Sequence, residues 1–71
     1  MNDWTELREH RFEDRTVYIS RSKWALRKWK VTVEFKVGGK SEKEIEDEKD
    51  AWGRFFIECR DALEAEEARH Q

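Results

Sequence analysis

Glu42, Glu46 and Asp50 stand at i, i+4 and i+8, and Glu44, Asp47 and Glu48 crowd between them, so six carboxylates fall within nine residues. On a helix that spacing stacks the first three in a row about 6 Å apart. A row of negative charge at that repeat resembles a phosphate backbone and suits a basic groove on a nucleic-acid-handling protein. Electrostatic steering speeds such an association. The plainer reading is a solvated helix face whose first acids complement the positive end of the helix dipole.

The opposite charge gathers just upstream, in "RSKWALRKWKVTVEFKVGG" (21–39). Arg21, Lys23, Arg27, Lys28, Lys30 and Lys36 surround Trp24 there. Cations neutralise phosphates and an exposed tryptophan stacks on a base, so this basic–aromatic run suits nucleic acid. Lysines on a solvated strand are also an ordinary guard against edge-to-edge pairing. A sequence pI of about 5.7 weighs against the nucleic-acid reading.

Other reactive types lack partners. His10 and His70 are far apart, and one cysteine leaves a zinc site short of nitrogen and sulfur ligands. Cys59 falls on an apolar helical face, where it reads as a small hydrophobe. Gly38-Gly39 lacks the flanking pattern of a phosphate loop and reads as a strand-to-helix turn. The carboxylates are abundant, but acid–base catalysis needs two groups in different environments within a pocket. No catalytic, cofactor or metal site is expected, and the chain reads as non-enzymatic.

These surfaces need elements to hold them. Residues 41–44, "SEKE", read as a capping box: Ser41 accepts from the Glu44 N–H, and the Glu44 carboxylate reaches back. Ile45, Trp52, Phe55, Phe56, Cys59 and Leu63 follow at helical spacing. This predicts a helix over about residues 42–68, with Ile57 well off its apolar face. Trp29, Val31, Val33, Phe35 and Val37 alternate with polar residues, the period of a half-buried strand. "RTVYIS" (15–20) reads as a second strand. Residues 1–14 read either as a short helix capped by Asn2 or Asp3 and carrying Trp4 and Leu7, or as a third strand over 5–12, and the strand is preferred because two strands make a poor sheet. The parity of Trp24 and Leu26 is opposite to the ladder, which implies a bulge, a twist or a helical turn.

The expected fold is α+β: a small antiparallel sheet of two or three strands over about 5–37, with one long C-terminal helix packed on one face. A chain of 71 residues with no proline makes a single small domain, residues 1–71. It is 45% charged and 37% apolar, so its core is thin. A helix of that length is about 40 Å long and overruns the sheet, which makes a second copy of the chain the simplest cover.

The net charge of −2 hides a polarity. Residues 15–40 hold eight bases against one acid, and residues 41–71 hold eleven acids against five bases. One cysteine and no membrane-length apolar run or secretory signal make the cytoplasm the expected location. The reading that follows is a small protein-binding module, a homodimer, of the kind that phages and mobile elements use to inhibit or regulate host nucleic-acid machinery. Glu42, Glu46, Asp47, Asp50 and Ile57 would form its working surface. The second reading is a nucleic-acid binder using Arg21, Lys23, Trp24, Arg27, Lys28, Lys30 and Lys36.

Overall fold

Two glycines decide the topology. In the computed structural model, which describes residues 3–71, Gly38 and Gly39 hold φ values of 109° and 103°. Such values strain any side-chain-bearing residue but cost glycine nothing. They close a turn in which the Gly38 N–H donates to the Phe35 carbonyl and the Phe35 N–H to the Gly39 carbonyl. The chain therefore reverses into another strand instead of entering a helix.

The result is a four-stranded antiparallel meander followed by one helix. The strands are β1 (Trp4–Arg11), β2 (Arg15–Ser22), β3 (Trp29–Phe35) and β4 (Lys40–Ile45), in spatial order β1-β2-β3-β4, and the helix is α1 (Glu48–Arg69). The expected sheet of two or three strands is corrected to four, and the helix starts at Glu48 instead of about residue 42. The reason lies across the sheet. Lys40, Glu42 and Glu44 pair with Glu34, Thr32 and Lys30, and the ion pairs Lys28–Glu44 (2.8 Å) and Lys30–Glu42 (2.9 Å) join the two strands. Cross-strand charge pairs of this kind stabilise an antiparallel ladder. They outweigh the helical preference of a Glu/Lys-rich hexapeptide. The cap is Asp47, whose carboxylate accepts from the Asp50 N–H at 3.0 Å, and not Ser41.

The core lies between α1 and the two central strands. Val17 and Ile19 of β2, Trp29, Val31 and Val33 of β3, and Phe12 face Ala51, Phe55 and Ala62 of α1. The two alanines let the helix backbone approach a sheet face already filled with β-branched side chains. This rotates the helix away from the expected contact: Trp52 and Cys59 are only half-buried, and Phe56 and Leu63 are exposed. Leu7 forms a bulge in β1 where the register slips between Glu6 and Arg8. Such a bulge bends an edge strand away from further pairing.

The molecule is long and thin, 44 × 26 × 15 Å, with a radius of gyration of 12.8 Å. A compact 71-residue domain has a radius of about 11 Å. The 22-residue helix is about 33 Å long. Its C-terminal end is tied back to the β1–β2 turn, where Arg69 meets Asp14 at 3.1 Å and His70 meets Glu13 at 2.8 Å.

Candidate interaction surfaces

The face of the sheet opposite α1 is open, and the register assigns its occupants. Glu6, Glu9 and Arg11 of β1 lie beside Ser20, Tyr18 and Thr16 of β2, then Lys30, Thr32 and Glu34 of β3, then Glu44, Glu42 and Lys40 of β4. The cations there are already engaged. Lys30 lies 4.4 Å from the centre of the Trp4 ring while it pairs with Glu42, and Lys28 pairs with Glu44. These partners hold the Lys28 ammonium above its ordinary pKa, chiefly through the Glu44 hydrogen bond. The Glu42 carboxyl is held below its own, chiefly through Lys30. Burial pushes the Tyr18 phenol up, and the carboxylates of Glu34, Glu42, Glu6 and Glu9 push it further. Four acids around the centre of this face repel phosphate.

The two predicted sets of residues are therefore redistributed. Glu42 and Glu46 do not share a helix with Asp50: Glu42 is on β4, Glu46 is in the bend after it, Asp47 is the cap and Asp50 lies in the first turn. The phosphate-like row does not form. Asp50 and Ile57, seven residues apart on α1, line one groove with Lys43, Ile45, Lys49 and Gly53. Lys36 sits in the β3–β4 turn, and Lys28 and Lys30 are neutralised on the sheet.

Arg21, Lys23, Trp24 and Arg27 remain together around the β2–β3 loop. Hydrogen bonds build that loop. Ser22 Oγ accepts from the Trp24 and Ala25 N–H groups, and the Ser22 N–H donates to the Lys28 carbonyl at 2.9 Å. Two bonds tie it to the chain before β1: the Lys23 N–H donates to the Asp3 carbonyl (2.9 Å), and Trp24 Nε1 donates to the Asp3 carboxylate (3.0 Å). The indole edge is fixed while the ring stays 75% exposed, and Leu26 beside it is 86% exposed. Leu7, pushed out by the β1 bulge, joins them along a shallow groove of 330 Å³. Arg21 lies over the Trp29 ring at 5.9 Å. Lys23 and Arg27 have no ion pair among the described residues.

Leu26 and Leu7 were not among the predicted site residues. The parity that set Trp24 apart applied equally to Leu26. The bulge that exposes Leu7 leaves no mark in the sequence.

Cys59 lies half-buried against the core, and burial, then the Glu58 charge, raises its thiol above the ordinary value. A raised thiol pKa suits packing more than nucleophilic attack. Among the described residues no three His, Cys, Asp or Glu side chains gather as metal ligands, and no helix is long and apolar enough to cross a membrane. Comparison with family models, with curated proteins and with solved structures finds no match to this chain.

Proposed function

We propose that the protein is a small non-enzymatic binding module whose β2–β3 loop docks into a protein partner. The observation that carries this reading is a hydrogen-bonded loop that holds Trp24 and Leu26 in solvent beside Lys23 and Arg27, which have no ion pair among the described residues. Leaving one such leucine exposed forgoes about 1.5–3 kcal/mol of burial. Tryptophan and arginine are the residue types most enriched where binding energy concentrates. The partner that fits has an apolar pocket for Trp24 and Leu26 and acidic groups at its rim for Lys23 and Arg27.

Nucleic acid is the second reading, and the same exposed indole and cations favour it. Leu26 and Leu7 speak for the protein reading, because aliphatic side chains gain little from stacking on bases. The acidic sheet face adds repulsion to any strand laid across it. The narrower expectation, an inhibitor presenting a phosphate-like row, is not carried forward, because Glu42 and Glu44 are spent on Lys30 and Lys28.

The test is recovery of partners from nuclease-treated lysate by the wild type, by Trp24→Ala/Leu26→Ser and by Glu46→Lys/Asp50→Lys. The expected outcome is a protein retained after nuclease, lost with the loop variant and kept with the acid variant. Loss of all bound material on nuclease treatment, with direct binding of purified protein to single-stranded polynucleotide that weakens steeply with salt, favours the second reading.

A further inference from the structure

We infer that an extended, acidic and apolar segment of a partner protein adds to β4 as a fifth strand and sets one apolar side chain in the groove between Ile45 and Ile57. The two edges of the sheet differ in their fitness to pair. β1 is broken by the register slip between Glu6 and Arg8, whereas β4 runs in unbroken register from Lys40 to Ile45, and every residue from Lys40 to Glu44 is exposed. The Phe35 N–H donates to the Gly39 carbonyl at 3.0 Å. Bonded pairs alternate along an antiparallel ladder. Ser41, Lys43 and Ile45 therefore turn their backbone groups toward Val33, Val31 and Trp29 of β3. Those of Lys40, Glu42 and Glu44 point out of the sheet, where an added strand can bond them.

The side chains beside this edge select the strand. On its α1 side a groove of 500 Å³ opens between Ile45 of β4 and Gly53 and Ile57 of α1. Lys43, Lys49 and Arg54 stand around it against a single acid, Asp50. Lys43 and Lys49 have no ion pair among the described residues, and Arg54 reaches Glu58 only at 3.9 Å. Lysines along an edge repel a second edge that carries lysines, that of another copy included. Carboxylates on an incoming strand turn the same charges into attraction. Glu42 and Glu44 do not oppose them, because they lie on the other face of the sheet and are neutralised by Lys30 and Lys28.

Gly53 marks where the occupant comes closest. A glycine inside a helix is less stable there than alanine. A Cβ at Gly53 would meet nothing within 4 Å, so no contact within the chain requires the side chain to be missing. Its absence keeps the helix wall of the groove low beside Ile45 and Ile57, which leaves room for an apolar side chain from outside.

The probe that tests this is the capped peptide Thr-Asp-Thr-Ile-Thr-Asp-Thr, which sets Ile between two Asp on one face of a strand. Added to the full chain, it should slow amide hydrogen exchange at Lys40, Glu42 and Glu44 by about tenfold or more, and leave Ser41 and Lys43 unchanged. Gly53→Leu should raise the urea midpoint of the free chain and still weaken peptide binding by about tenfold or more. Lys43→Glu/Lys49→Glu should weaken binding similarly, and should bind Thr-Lys-Thr-Ile-Thr-Lys-Thr better than the wild type does. Trp24→Ala/Leu26→Ser should bind the acidic peptide as the wild type does, so this edge and the β2–β3 loop stand or fall separately. No protection of the three amides at about 1 mM peptide overturns the inference. So does protection that Gly53→Leu and the charge reversal leave intact. Protection that appears without peptide as the chain is concentrated also overturns it, because a second copy is then the occupant.

Discussion

His70 Nε2 lies 2.8 Å from Glu13 Oε2, a contact that joins residues 57 positions apart. It fastens the last turn of α1 to the turn between β1 and β2. Arg69 reinforces it from 3.1 Å on Asp14, and the Glu66 carboxylate accepts the Glu13 N–H. The helix is held to its sheet at this end by polar contacts, beyond the reach of the apolar core.

This clasp makes a prediction about acid. The His70 hydrogen bond, more than the nearby charges of His70 and Arg69, holds the Glu13 carboxyl below its ordinary value of 4.5. A carboxyl whose folded pKa is depressed stabilises the fold above its ordinary value, and that contribution is lost as the pH falls through the depressed one. Carbon-detected titration of the Glu13 carboxyl should give a midpoint below 4.5. His70→Ala should move that midpoint upward. The groups are exposed, so the effect on global stability is small; an unchanged midpoint in His70→Ala would refute the clasp.

The helix start is tested by two caps. Asp47 accepts from the Asp50 N–H, whereas Ser41 lies within β4. Asp47→Ala should cost about 1 kcal/mol, as loss of a cap side chain commonly does. Ser41→Ala should change stability by less than about 0.5 kcal/mol, because Ser41 is an exposed strand residue. Urea unfolding followed by circular dichroism separates the two. The reverse ranking would return residues 42–47 to a helix.

The same segment shows where sequence pattern was sufficient and where it was not. The strand from Trp29 was legible because Val31, Val33 and Phe35 alternate with polar residues and one face is buried. "KSEKEI" carried no such signal, since its strand faces solvent on both sides except at Ile45, which pairs with Trp29. Its partner charges, Lys28 and Lys30, lie more than ten residues upstream, and only the fold brings them together. The Gly38-Gly39 turn was visible, but a reversal into a strand and an exit into a helix use the same residues. The helix itself was legible as an element, and its orientation was not. Two candidate faces, Ala51–Phe55–Ala62 and Trp52–Phe56–Leu63, are adjacent on the wheel. The apolar spacing took in Phe55 together with Trp52, Phe56 and Leu63 and passed over the two alanines, so it straddled both faces. In the loop, the basic run and Trp24 were readable, whereas the bulge that brings Leu7 beside them depends on a slip in pairing.

Adjacent phenylalanines test that orientation. Phe55 is 2% exposed within the core, and Phe56 points along the outer flank of α1. Phe55→Ala should cost about 3–5 kcal/mol, which is much of the stability available to a domain this small. Phe56→Ala should cost under about 1 kcal/mol, because that ring is 55% exposed. Denaturant midpoints for the two variants give the answer, and equal losses would mean that the helix is rotated toward Phe56.

Thr32 offers a gain in place of a loss. It lies in the middle of β3, fully buried, and its Oγ1 has no hydrogen-bond partner among the described residues. A buried hydroxyl without a partner gives up its hydration for nothing, at a cost of about 1–3 kcal/mol. Valine has nearly the same shape and the same branching at Cβ, and it favours strands. Tyr18, the cross-strand neighbour of Thr32, keeps its contact with a methyl group in place of the hydroxyl. Thr32→Val should therefore stabilise the protein by about 1 kcal/mol. The check is a higher urea midpoint at unchanged slope, which would assign the gain to stability and not to a change in the unfolded chain. Destabilisation by the substitution would mean that the hydroxyl is satisfied by a water within the sheet face.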